Sequence, residues 1–138
     1  MFRSALLLTA LFISTVAFST TNTPPVPAKI ITVIVDAQNG MFIGRDTVET
    51  ETIPAILSER LWKSYLGTGK MYDAIKVTTR GEVLMGTRGA VYDAIQQAQQ
   101  LALKKICLQK YKHLYEELSA AQQRKIRSGF KVLFQQTF

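Results

Sequence analysis

The chain has 138 residues and a mass of 15.4 kDa, room for one small domain. With 47% hydrophobic and 20% charged residues it is not a disordered chain. A single cysteine excludes a disulfide framework or a cysteine-built zinc site, and a single histidine excludes a multi-histidine metal centre. Neither a metal nor a cofactor is expected. The net charge of +7 is unevenly placed. Residues 1–103 carry nine basic and eight acidic side chains, whereas residues 104–138 carry eight and two. A nearly neutral body therefore precedes a basic tail. That argues against a nucleic-acid binder charged over its whole surface and puts any electrostatic attraction in the last quarter.

Residues 1–18, MFRSALLLTALFISTVAF, place one positive charge, Arg3, before an apolar run, and no acidic residue occurs before Asp36. The run has the length of a signal-peptide core, with small residues Ala17 and Ser19 where a signal peptidase reads. It also approaches the roughly 20 residues that span a bilayer. Residues 1–19 therefore read as a cleaved signal or a retained anchor, with the following chain carried across the membrane in either case. Residues 20–28, beginning TTNTPPVP, read as an extended linker.

The body is expected over residues 29–109. IITVIV at 30–35 is a β-branched run typical of a buried strand. Asn39 and Gly40 supply turn chemistry, and Met41-Phe42-Ile43 forms the second arm of a hairpin, ended by Gly44. Thr52 is placed to cap a helix with Pro54 in its first turn. Ile53, Leu57, Leu61 and Tyr65 recur every four residues as one apolar face, and Gly67 is read as the stop. Gly67-Thr68-Gly69-Lys70 lacks the remaining residues of a phosphate loop and reads as a helix-ending loop. AIKVT at 74–78 is a third strand, and residues 83–85 are a brief strand or a staple before the next helix.

Thr87 is the expected cap of that second helix. Its stripe is Val91, Ala94, Ile95, Ala98, Leu101 and Ala102, with Gln96, Gln97, Gln99 and Gln100 on a solvated face. KICLQ at 105–109 reads as a last strand holding an inert Cys107, and His113 as a surface residue. The order β-β-α-β-α-β predicts an α+β fold, a small two-layer sandwich with a mixed sheet.

Residues 110–138 form a basic C-terminal extension. A helix is expected over 113–127 on the stripe Leu114, Leu118, Ala121 and Ile126, followed by Phe130, Phe134 and Phe138 at every fourth position. Two readings are open. The aromatics pack back on the open sheet face; or they insert into an anionic membrane surface or cell-wall polymer, with Lys110, Lys112, Arg124, Lys125, Arg127 and Lys131 near its phosphates. The second reading expects the body to stay folded when residues 114–138 are removed.

The segment DAQNGMFIGRDTVETETIPAIL at 36–57 resembles the exported domain of the ExbD/TolR family of biopolymer-transport proteins. Residues 75–108, IKVTTRGEVLMG through KKICL, are similar in their strand–turn–helix–strand order. The resemblance implies a protein of the bacterial inner membrane with one membrane helix and a periplasmic domain, and a homodimer. It also implies a multi-span partner of the ExbB or TolQ type and a TonB- or TolA-like protein on which proton flow does work. The family's coupling uses an aspartate in the membrane helix. Here no Asp or Glu occurs in residues 1–35, and Thr9, Ser14 and Thr15 do not titrate near neutral pH, so no residue inherits that role.

Two functions of different class are therefore expected. One is an accessory subunit of a proton-driven envelope transport system, offering a sheet edge to an extended peptide. The other is a signal-cleaved, soluble periplasmic module that contacts cell wall or an envelope protein. An enzyme is not expected, because Asp36, Asp46, Asp73 and Asp93 fall at turn, cap or helix-face positions and no catalytic cluster is present in the sequence.

Overall fold

The computed structural model describes residues 28–138; the segment read as signal or anchor, and all but the last residue of the linker, lie outside the described residues. The elements are β1 (Ile30–Asp36), β2 (Met41–Ile43), β3 (Asp46–Val48), α1 (Ile53–Thr68), β4 (Ala74–Arg80), α2 (Met85–Tyr111) and α3 (Ala120–Gly129). Short 3₁₀ turns cover Thr50–Thr52, Tyr115–Glu117 and Lys131–Phe134. No helix among the described residues is long and apolar enough to cross a membrane.

The fold is α+β, with one mixed sheet in the order β3-β2-β1-β4. β1 pairs antiparallel with β2 and parallel with β4, with Val33 opposite both Ile43 and Val77. Alternation along β1 buries Ile31, Val33 and Val35 and leaves Ile30 half-exposed on the other face. The hairpin turn is closed by Asp36, whose carboxylate accepts the backbone N–H of Gln38 and Gly40 while Asn39 takes φ +62°. A Cβ at Gly40 would stand 2.5 Å from an Asp36 carboxylate oxygen, so a larger residue there would displace the carboxylate that closes the turn.

The first helix follows its expected stripe. Ile53, Leu57 and Leu61 are fully buried, and Tyr65 is half-buried. Thr52 flanks it, but its hydroxyl accepts from the Glu49 N–H rather than capping α1 itself. The stop comes at Gly69, not Gly67. Gly69 adopts φ +68° and donates its N–H to the Tyr65 carbonyl, the left-handed ending that glycine permits.

The body differs from the expected elements in several places. β3 adds an antiparallel strand that the sequence reading passed over; only Val48 of its three residues is buried, so it carries no apolar run. Residues 83–85 form no strand: Leu84 flanks the start of α2 and Thr87 lies inside the helix. Most importantly, residues 105–109 are helical. α2 runs unbroken to Tyr111, because Val91, Ile95, Ala98, Ala102 and Ile106 continue one buried face at spacings of three and four. The order is therefore β-β-β-α-β-α, and α2 does not cross over to a further strand. Within α2, Leu101 is exposed and Gln99 is buried, the reverse of the expected facing.

The tail belongs to the same core. Leu118, Ile126, Phe130, Val132 and Leu133 join the buried cluster that contains Leu57, Ile75 and Ile95. The expected helix over 113–127 splits into a 3₁₀ turn and α3, because Ser119 caps a new start by accepting the Gln122 N–H. The aromatics meet helices rather than the open sheet face. Phe130 packs edge-on to Tyr65, Phe134 tilts on Tyr115 and Phe138 on Tyr92.

Candidate functional site

The end of α1, the end of α2 and the second half of α3 enclose a cleft of about 930 Å³. Its position follows from helix endings. Gly69 turns the chain out of α1 and brings Lys70, Met71, Tyr72 and Asp73 along one side before β4 begins. α2 ends at Lys112 with φ +62°, which leaves Lys110 and Tyr111 at the rim. α3 closes the third side with Lys125 and Ile126, and Phe130 and Lys131 follow it.

The floor is apolar, with Met71, Ile126 and Phe130 buried. The walls are aromatic, with Tyr65, Tyr72 and Tyr111 half-buried. The rim is basic. Lys70, Lys110, Lys125 and Lys131 are exposed, and among the described residues none has a carboxylate within 4.0 Å. Lys110 is steadied by rings, its ammonium lying 5.8 Å from the Tyr65 centroid and 5.5 Å from that of Phe130. Asp73 is the one carboxylate in the lining. It accepts the Lys29 backbone N–H at 2.6 Å, and its own N–H is donated to the Lys29 carbonyl at 2.7 Å.

The six basic residues singled out in the sequence thus divide. Lys110, Lys125 and Lys131 come together in the cleft. Lys112 forms the left-handed end of α2, and Arg124 donates back to the Ala120 carbonyl of its own helix. Arg127 lies over the Phe134 ring at 5.3 Å and donates Nε–H to the Tyr115 hydroxyl. Phe130 is buried and Phe134 and Phe138 are half-buried against the core, so these lysines line a recess beside packed rings. Sequence reading missed Lys70, the three tyrosines and Asp73. Lys70 carries no local mark beyond its place after a helix-ending glycine.

The other acidic residues stand apart. Asp36 closes the hairpin, Asp46 pairs with Arg60 of α1, and Asp93 is exposed on α2. Among the described residues no three His, Cys, Asp or Glu side chains converge as metal ligands. Cys107 is fully buried on α2, not on a strand, and burial, with a smaller contribution from Glu116, pushes its thiol up from its ordinary value. His113 is exposed, 3.6 Å from Glu117.

The sheet has one further feature of functional interest, the outer edge of β4. Ile75 turns both backbone groups away from β1. Its N–H is donated to Gln135 Oε1, and its carbonyl accepts from Gln135 Nε2. The two-residue period of a strand points the N–H and C=O of Val77 and Thr79 the same way. Among the described residues no further strand and no side chain pairs with them. Gln99 holds the tail in place here, donating to the carbonyls of Val132 and Gln135 at 2.8 and 2.9 Å.

No protein-family model matches the chain, and no curated protein matches it significantly.

Proposed function

We propose that the protein is an ExbD/TolR-like accessory subunit of a proton-driven envelope transport system of the TonB or Tol type. It sits in the bacterial inner membrane with its folded domain in the periplasm. Its partners are a multi-span protein like ExbB or TolQ and a TonB- or TolA-like protein. It carries no membrane carboxylate and so works beside a subunit that does. Supporting the reading are the residues at 36–57 and a sheet with one long, partly open edge. The observation that carries it is the pair of outward backbone groups at Val77 and Thr79, without a partner among the described residues, which an extended peptide can join by strand addition. β3 at the opposite edge offers only three residues. The helical end of α2 departs from the family's order, and among the described residues no strand lies beside the outer β4 edge.

The test is a photo-crosslinking residue at Thr79 in cells, with adducts identified by mass spectrometry. A TonB- or TolA-like adduct is expected. It should disappear in Val77→Pro, which removes an outward N–H while sparing the β1–β4 ladder. No adduct, or one unaffected by proline, removes the edge from the mechanism. Intact mass from the envelope fraction decides the anchor. A mass lacking residues 1–19 replaces the subunit with a signal-cleaved periplasmic binding module.

A further inference from the structure

We propose that the cleft between α1, α2 and α3 is a binding site for a phosphorylated saccharide. The site goes beyond the transport reading, because neither Val77 nor Thr79 lines it and either can fail alone. Its volume of about 930 Å³ lies within the usual range for small-molecule sites.

Charge gives the first half of the ligand. Lys70, Lys110, Lys125 and Lys131 reach one recess from three separate stretches of chain, and among the described residues none has a carboxylate within 4.0 Å. Like charges gathered in this way repel one another, and a multivalent anion between them removes that repulsion. Ammonium groups on flexible stems suit phosphate as point charges.

The walls give the second half. Tyr65, Tyr72 and Tyr111 are half-buried in the lining and supply aromatic carbon and hydroxyl groups, the pairing that suits the C–H face and hydroxyl edge of a sugar ring; Lys29 Nζ lies over the Tyr72 ring at 4.7 Å. Asp73 distinguishes the ligand further. A carboxylate opposes a ligand made only of phosphate but accepts hydrogen bonds from sugar hydroxyls, and its position is held by the paired contacts with Lys29. A nucleobase is the poorer fit. The lining contains no Arg, Asn or Gln, the side chains whose forked groups read a base edge.

The test is calorimetric titration of the full chain with glucose 1,6-bisphosphate. Saturable binding that weakens with salt is expected. Lys70→Gln, Lys125→Gln and Lys131→Gln should each weaken it by about tenfold, the scale of one charge-assisted contact. Lys104→Gln, exposed on α2 outside the cleft, should change it by less than about twofold. No saturable binding overturns the proposal, as does equally tight binding of inorganic phosphate or of unphosphorylated glucose. So does an equal loss in the Lys104 variant, and tighter binding of adenosine monophosphate overturns the ligand class. Vesicles separate the sources. Binding to phosphatidylcholine vesicles carrying a bisphosphorylated glycolipid, competed by the free bisphosphate, assigns a lipid headgroup; binding of the free compound without vesicle binding assigns a soluble sugar phosphate. Equal binding to phosphatidylglycerol vesicles, not competed by the free compound, gives the lysines to a membrane surface and overturns the proposal.

Discussion

The hairpin–helix body and the C-terminal tail bury side chains in the same core by different means. In the body, backbone ladders fix β1, β2 and β4, and aliphatic stripes on α1 and α2 recur often enough to bury Leu57, Leu61, Ile95 and Ile106 completely. The tail has one short helix of ten residues and no strand. It is held by a few anchors, chiefly Ile126, Phe130, Val132 and Leu133, and by polar clips from Gln99 and Gln135 to backbone groups. A weakly structured segment can therefore be integral to a core when its anchors cover a face that another element cannot leave exposed. Here that face belongs to α2, whose Gln99 bonds the carbonyls of Val132 and Gln135.

Removing the tail tests the comparison most severely. Deleting residues 114–138 strips five buried apolar side chains from the core. At about 1.5–3 kcal/mol each, their loss is comparable with a small domain's whole net stability of about 5–15 kcal/mol. The truncated chain should fail to show a cooperative unfolding transition. A cooperative transition near the parent's would make the tail an appendage, as the membrane-surface reading expected.

Leu57→Ala asks whether the body is the more tightly packed part. It opens a cavity beneath a fully buried position and should cost about 2–5 kcal/mol in denaturant midpoint, with the slope unchanged. An unchanged midpoint would mean that α1 faces another way.

Gln99→Leu separates the polar clips from the apolar anchors. It deprives the carbonyls of Val132 and Gln135 of their donor, and a cost of about 1–3 kcal/mol is expected. Hydrogen exchange should speed at Val132, Leu133 and the neighbouring Ile75, which is clipped by Gln135, more than in α1. Uniform acceleration would show that tail and body open as one unit.

The smallest effect concerns pH. Burial raises the Cys107 thiol, so the folded chain keeps that proton where the unfolded chain has lost it. The contribution is complete below the ordinary thiol value of about 8.5 and is lost as pH rises through the folded value. Stability should thus decline slightly on the alkaline side in the parent and less so in Cys107→Ala. Parallel profiles would place the thiol in contact with water, and the end of α2 with it.

Part of this architecture is written in short stretches of chain. IITVIV can satisfy its β-branched side chains in a strand, Asp36 through Gly40 carry the turn, and the four-residue recurrence from Ile53 to Tyr65 leaves α1 one buried face. β4 and the first apolar stripe of α2, Val91 to Ala102, were legible for the same reason: their period acts within a few positions. KICLQ was ambiguous because five residues fit a strand or a helix turn; the stripe running from Val91 to Ile106 decided it, and that stripe is visible in the sequence only when α2 is read past Ala102. The charge of the tail was legible, but its site was not. Lys70 and Lys125 are 55 positions apart in the chain, and no local preference brings them to one cleft. β1, β2, β4, the hairpin turn and the apolar face of α1 follow from the residues alone, because propensity, turn chemistry and hydrophobic period are local. That Gln99 faces inward, that Gln135 closes the start of the β4 edge, and that four lysines and three tyrosines line one cleft came from packing, because each depends on contacts between segments far apart in the chain.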